Sequence, residues 1–315
     1  MKRIGMKKDM ALAALLLVGI LALAGCGGPT PAPDDGDAGE PASRVMYQLG
    51  GSDSEVNLVQ RLTEVFSGEN PNITFAVSGG GSGTGIASLI DGQLDVANSS
   101  RPMKDQELAD ARANGVDPRP FIFAQDGLAV IVNANNPVDA LTVDEIGAIF
   151  AGDITNWSEV GGPDAPISLY GRQSTSGTYV YFMENVVKGD YSEHKKMQSG
   201  NAAIVEGVIA EDAAIGYIAV GYATDGGAVV AGLKVLEVAP DANSPAATPL
   251  DLTNIMEERY PIVRPLFHYV DGRPEGGLAE YLEFVISDQG QDIVLAEGFF
   301  PITNAHRAVN AEVYK

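Results

Sequence analysis

Two stretches of the chain place hydroxyls, backbone amides and charge where a helix begins. The first, Val77 to Pro102, reads VSGGGSGTGIASLIDGQLDVANSSRP. Gly79, Gly80, Gly81, Gly83 and Gly85 surround Ser82 and Thr84. Glycine permits positive φ and close backbone approach to a ligand. Ser82 or Thr84 can cap the helix that carries Ile86, Leu89 and Ile90 on one face. The unsatisfied N–H groups of a first helical turn, with their partial positive charge, favour an anion. Gly92-Gln93 ends that helix. Leu94 to Ala97 reads as a short buried strand, with Asn98, Ser99, Ser100 and Arg101 at its end, where open α/β sheets hold ligands. The second stretch repeats the pattern. Ile167 to Tyr170 reads as a strand, GRQSTSGT at 171–178 as a polar turn, and Tyr179, Phe182, Met183 and Val186 as one face of a helix. Arg172 adds a planar donor fork suited to an oxyanion. Composition alone also allows each glycine-serine run to be a plain loop.

Other chemistries lack their residues. In the first turn Thr84 stands where a dinucleotide fingerprint has its third glycine, and no Gly-Lys-Ser/Thr occurs, which argues against a nucleotide site. His194, His268 and His306 are scattered, there is no G-x-S-x-G elbow, and no ligand cluster for a metal is spelled out. The sequence therefore implies no catalytic residue, metal or cofactor.

Composition sets the compartment and the partners. Lys2, Arg3, Lys7 and Lys8 precede a short apolar run, Met10 to Ala24, and then Leu23-Ala24-Gly25-Cys26. This is a secretory leader over residues 1–25 ending in what looks like a bacterial lipobox, with lipid expected on Cys26. Cys26 is the only cysteine, which excludes an intrachain disulfide. Residues 26–43 are a flexible tether without large apolar side chains. The formal charge is −22. Removing Lys2, Arg3, Lys7, Lys8 and Asp9 with the leader leaves 16 basic against 41 acidic side chains, or −25. Such a surface argues against nucleic acid or an anionic membrane face as partner. It does not exclude an anion ligand, because distant surface charge is screened over about 8 Å at physiological salt.

The elements that must position the two turns follow from periodicity. Val45 to Leu49 reads as a first strand. Val56, Val59, Leu62, Val65 and Phe66 then share one helical face, and Ile73 to Val77 is a second strand. This β-α-β-α-β run implies a parallel sheet covered by helices. Ser52 and Glu55 have capping-box spacing ahead of the first helix, and Ser54 can face the same cleft as Ser82. Phe121 to Phe123 and Leu128 to Val132 flank Asp126-Gly127 as a crossing between lobes. Trp157 is a packing anchor. Residues 221–255, rich in Gly, Ala and Pro, resist assignment. Ile262 to Tyr269 is a strand near the return crossing, and Leu278 to Ile286 and Gln289 to Ala296 are helices that pack on the first lobe.

Seven segments in order resemble one family: GSDSEVNL at 51–58, GGGSGTGIASLIDGQLDVANSSRP at 79–102, DGLAVIVNANNP at 126–137, IFAGDITNWSEVGG at 149–162, GRQSTSGTY at 171–179, YPIVRPLF at 260–267 and ISDQGQDIV at 286–294. They resemble the phosphate-binding proteins of bacterial phosphate ABC transporters, within the type 2 periplasmic-binding-protein fold. The resemblance implies an α/β clamp of two lobes, each a mixed, mostly parallel sheet flanked by helices, with the ligand cleft between them. Residues 44–124 and 260–315 would form the first lobe, and 125–259 the second. It implies a monomer that binds inorganic phosphate without turnover, hands it to permease subunits, and meets the membrane only through its lipid. Carried over by position, Ser54, Ser82 and Ser100 contact the anion from the first lobe, and Arg172, Ser176, Gly177 and Thr178 from the second, with Glu55, Thr84 and Arg101 as adjacent candidates.

Two departures bear on this. The family's aspartate that accepts the proton of monohydrogen phosphate aligns with Ser100, which keeps sulfate, molybdate or tungstate open as ligands. Glu55 could replace that acceptor or cap its helix. The aspartate of the family's arginine turn is Ser174, leaving Arg172 without its ion-pair partner there. A phosphohydrolase, or a sensor reporting phosphate to a partner, are the readings from other classes.

Overall fold

The computed structural model describes residues 44–315; the leader, Cys26 and the tether expected from the sequence lie outside the described residues. β1 (Val45–Gly51), β2 (Ile73–Ser78) and β3 (Val96–Ser99) are parallel. Helix α1 (Val56–Glu69) joins the first two and α2 (Ser82–Ile90) the next. Of the expected apolar faces, Val59, Leu62 and Phe66 are buried on α1 and Ile86 and Leu89 on α2, while Val56, Val65 and Ile90 are half-buried and Leu58 joins the buried face of α1. β3 starts two residues later than expected, so Asn98 and Ser99 are sheet residues and Ser100 is the first beyond the strand.

After α3 (Asp105–Ala113), β4 (Pro118–Gly127) returns to the sheet, and Leu128 leads into β5 (Ala129–Asn133) of a second sheet. β6 (Ala140–Thr142), α4 (Val143–Ala151), β7 (Ser168–Arg172), α5 (Gly177–Phe182), β8 (Lys196–Gln198), α6 (Asn201–Ala210) and β9 (Ala214–Ile218) follow. The stretch that resisted assignment holds short pieces. β10 (Thr224–Asp225) pairs with β11 (Ala228–Val229), β12 (Leu233–Val235) edges the second sheet, and β13 (Glu237–Ala239) pairs with β6. α7 (Leu252–Met256) precedes β14 (Val263–Asp271), which goes back to the first sheet. α8 (Gly276–Val285) and α9 (Asp288–Ala296) pack on α1, and α10 (Asn304–Val313) packs on β4.

The sheet orders are β2-β1-β3-β14-β4 and β12-β5-β9-β7-β8. In each sheet four strands point one way and one is reversed. β14 is antiparallel to β3 and β4, and β5 is antiparallel to β12 and β9. The reversed strand is in both cases the one that has just arrived from the other lobe. This is the mixed, mostly parallel pair of lobes expected of the type 2 fold. Trp157 is fully buried and donates its indole N–H to Ala213 O at 2.9 Å, as a packing anchor would. In the first lobe His268 is stacked on Phe123 at 4.0 Å, and its Nδ1–H donates to Asn98 Oδ1 at 2.9 Å. Burial pushes its pKa down to about 3, so the ring is neutral.

Candidate anion-binding cleft

The polar turns at the carboxyl ends of β1, β2, β3 and β7 meet where the lobes touch. Gly83 N donates to Thr175 O at 3.0 Å, so the Ser82 turn and the Arg172 turn are in direct contact. α5 begins against the first lobe. A methyl on Gly177 would overlap Ser82 Oγ and lie 2.6 Å from Ser100 Oγ, so only glycine lets this helix mouth come so close. Ser176 caps α5, its Oγ accepting from Tyr179 N at 3.4 Å.

Hydroxyls line the contact in two groups. Ser82 Oγ accepts from Ser100 N at 3.1 Å and lies 3.3 Å from Ser100 Oγ, to which Ser52 Oγ donates at 3.0 Å. Ser54 Oγ lies 2.6 Å from Thr178 Oγ1, one hydroxyl from each lobe. Ser52, Ser54, Ser82, Ser100, Ser176 and Thr178 are all buried.

Two arginines supply charge. Arg172 is fully buried; its Nη2 donates to Asp53 and to Ser199 O at 3.1 Å, while Nε and Nη1 are buried without a partner. The expectation that Arg172 lacks an ion-pair partner is corrected here. Asp53, from the opposite lobe, fills the role that a serine at 174 vacates. Arg264 was missed by sequence reasoning. It forms an ion pair with Asp126, through Nε at 3.0 Å and Nη2 at 2.7 Å, and Nη2 also donates to Ser54 Oγ at 3.1 Å and Thr178 Oγ1 at 3.0 Å. A signal was present. Arg264 shares the period-2 phase of Leu266, His268 and Val270 in an otherwise apolar strand, and a charge on a core-facing phase demands a buried partner. Asp126, its register partner, ends the apolar run of β4.

Glu55 stands next to this cluster at the N-cap position of α1, but its side chain makes no capping hydrogen bond. The capping box read from its spacing with Ser52 is not formed, because Ser52 Oγ accepts instead from Ser54 N at 3.3 Å. The Glu55 carboxyl is fully buried and neither oxygen has a hydrogen-bond partner. Burial pushes its pKa well above the usual carboxylate range; the positive charge of Arg264 and the nearby Ser52 hydroxyl oppose this, and the negative charges of Asp126 and Asp53 add to it.

Two adjacent candidates have their polar groups engaged by their own lobe. Thr84 is exposed and its hydroxyl donates back to Gly80 O at 3.0 Å. The cap of α2 is Gly81 at φ 102°, not Ser82 or Thr84. Arg101 is buried, but its charge is engaged by Glu107 through two hydrogen bonds of 2.7 and 2.6 Å, and Nη1 also donates to Pro102 O. The ion pair in turn holds the Glu107 carboxyl below its ordinary pKa against the opposing cost of burial.

Comparison with known proteins points one way. A model of the PBP superfamily domain matches residues 36–289. The phosphate-binding protein PstS of Pseudomonas aeruginosa is 30% identical over 315 residues, covering 94% of this chain and 95% of that protein. PstS of Bacillus subtilis is 31% identical over 306 residues, covering 95% and 96%. Among solved structures, a candidate phosphate ABC transporter substrate-binding protein of Clostridium perfringens with bound phosphate is similar at a TM-score of 0.71 and 27% identity, over 82% of this chain and all of that one. An ABC-type phosphate transport receptor from Vibrio cholerae is similar at 0.64 and 25% identity, over 81% of this chain.

Proposed function

The chain belongs to the PstS phosphate-binding proteins of the PBP superfamily, and on that premise we propose that it captures inorganic phosphate outside the cytoplasmic membrane and delivers it to an ABC permease. The observation that carries the reading is the start of α5, with Gly177 seated between Ser82 and Ser100 and Arg172 holding two buried donors without a partner. An anion between the lobes accepts from Arg172 Nε and Nη1, from the Ser54, Ser82, Ser100, Ser176 and Thr178 hydroxyls, and from the first amides of α5. Buried donors left unmet cost about 1–3 kcal/mol each, so a ligand that satisfies them is strongly favoured over an empty closed form. Both arginines are paired with aspartates, so attraction comes chiefly from oriented N–H and O–H dipoles in a dry site rather than from net charge.

Glu55 takes the proton-sharing role that the Ser100 hydroxyl fills less decisively. A neutral carboxylic acid donates to an oxygen of any oxyanion; only on ionising does it accept from a protonated phosphate oxygen and so distinguish phosphate from sulfate. Sulfate offers no proton to such a partner. The chain acts as a binding protein without turnover, as a monomer held to the membrane by lipid on Cys26. No helix among the described residues is long and apolar enough to cross a membrane. Ser100 in place of an aspartate favours one second reading, capture of an unprotonated oxyanion such as sulfate, molybdate or tungstate. Titration calorimetry with phosphate, sulfate and molybdate decides between them. Tight phosphate binding with weak binding of the others is expected, and equal weak binding of all three removes the phosphate assignment.

A further inference from the structure

We propose that Asp53 is a clasp between the lobes: a positioning residue that acts through Arg172 and sets how long the anion stays, not how fast it arrives. The proposal rests on the anion-capture reading above. Asp53 lies in the turn after β1. Its Oδ1 accepts from Gly80 N at 3.0 Å, which anchors the carboxylate to the glycine turn of its own lobe. The other oxygen accepts from Arg172 Nη2 of the opposite lobe. Its main-chain carbonyl accepts from Tyr222 OH at 2.9 Å and Asn201 Nδ2 at 3.3 Å, both also from the opposite lobe. Three separate elements of the second lobe thus converge on one residue: the end of β7, the start of α6 and the turn after β9.

What breaks on opening follows from these partners. The Gly80 tie travels with Asp53, and the Ser199 tie travels with Arg172. Of the contacts Asp53 makes, the ion pair and the two carbonyl contacts are the ones that span the cleft. The clasp is made of protein groups alone, so it forms whenever the lobes meet, and a negative charge here does nothing to draw in an anion. Its contribution is to the closed form, and closure governs escape. Arg172 is fully buried and the Asp53 side chain is 18% exposed, so the pair is largely withdrawn from water. Truncating one partner of such a pair across an interface acts mainly on the dissociation rate.

The test separates the two rates. Phosphate association and release are followed by stopped flow for the wild type, Asp53→Asn and Tyr222→Phe. Asparagine keeps an acceptor for Gly80 N and removes the charge. Release from Asp53→Asn is expected to be faster by about tenfold or more, the scale of a lost charged hydrogen bond, with association unchanged; Tyr222→Phe falls between it and the wild type. Release at or below the wild-type rate, or a defect confined to association, overturns the clasp. If the wild type binds no phosphate, the functional reading fails, and spin labels at the exposed positions Ala109 and Glu184, one in each lobe, take over the test in the unliganded protein. A longer distance in Asp53→Asn then supports the clasp and an unchanged distance overturns it.

Discussion

A single methyl at Gly177 should prevent closure without harming the fold. Gly177 is the first residue of α5, and its backbone lies outside the left-handed region, so alanine is tolerated by the helix itself. Alanine is the better helix former by up to about 1 kcal/mol. The obstruction comes entirely from the other lobe. The added carbon would overlap Ser82 Oγ, stand 2.6 Å from Ser100 Oγ and 2.9 Å from Ser82 Cβ, where ordinary contact begins nearer 3.4 Å. Both serines are locked by Ser52 Oγ and Ser100 N, so neither can rotate away without breaking a buried hydrogen bond. Overpacking of this kind costs about 1–3 kcal/mol, which as a coupling energy is a loss of roughly 5- to 150-fold in phosphate affinity. Calorimetry reads the affinity, and a urea midpoint on the unliganded protein reads the fold. Wild-type affinity in Gly177→Ala, or a fall in stability as large as the fall in binding energy, would refute the argument that this glycine is a seam between lobes.

Arg172→Lys keeps a cation but loses the fork that serves Asp53 and Ser199 and leaves two donors for the anion; phosphate binding should weaken by at least about 2 kcal/mol, and Arg172→Ala should weaken it further. His268 is neutral in the fold, its pKa depressed to about 3 from 6.5, so the stability it protects is complete above pH 6.5 and is lost as pH falls toward 3. In His268→Gln the unfolding free energy should fall less steeply over that window, by up to about 1.4 kcal/mol per pH unit; an identical slope would contradict the assignment. Glu55 has the opposite sign. Its raised pKa costs nothing below the unfolded value of 4.5 and destabilises increasingly as pH rises above it, so Glu55→Gln should gain stability over the wild type from pH 5 to pH 8. A constant gap between the two proteins across that range would show that the carboxyl is not held protonated by burial.

The sequence made the two helix mouths legible because glycine, hydroxyl and arginine sit next to one another along the chain. Local grammar of that kind survives without knowledge of the fold. The charge pairs did not, for the same reason. Asp53 and Arg172 are 119 positions apart, and Asp126 and Arg264 are 138 apart. Only the closing of two sheets on one another brings each carboxylate to its guanidinium. The spacing of Ser52 and Glu55 allows a capping box, because spacing records who could reach a free amide. It does not record that Ser52 turns to Ser54 and Ser100 instead. Arg101 lies beside Gly83, as its neighbours in sequence suggest, but Glu107, six residues on in the first turn of α3, claims its charge. Residues 221–255 hid their strands because pieces of two or three residues carry no period to detect.

The reversed strands say something about how the molecule is threaded. Gly127 and Val263 are register partners in adjacent antiparallel strands of the first sheet, and Leu128 N donates to Ile262 O just beyond them. The two crossings therefore run side by side like the leaves of one door hinge, and the whole second lobe is spliced into the tip of what would otherwise be a plain β-hairpin. Tyr260 braces that double-stranded ribbon by donating its hydroxyl to Leu128 O at 2.6 Å.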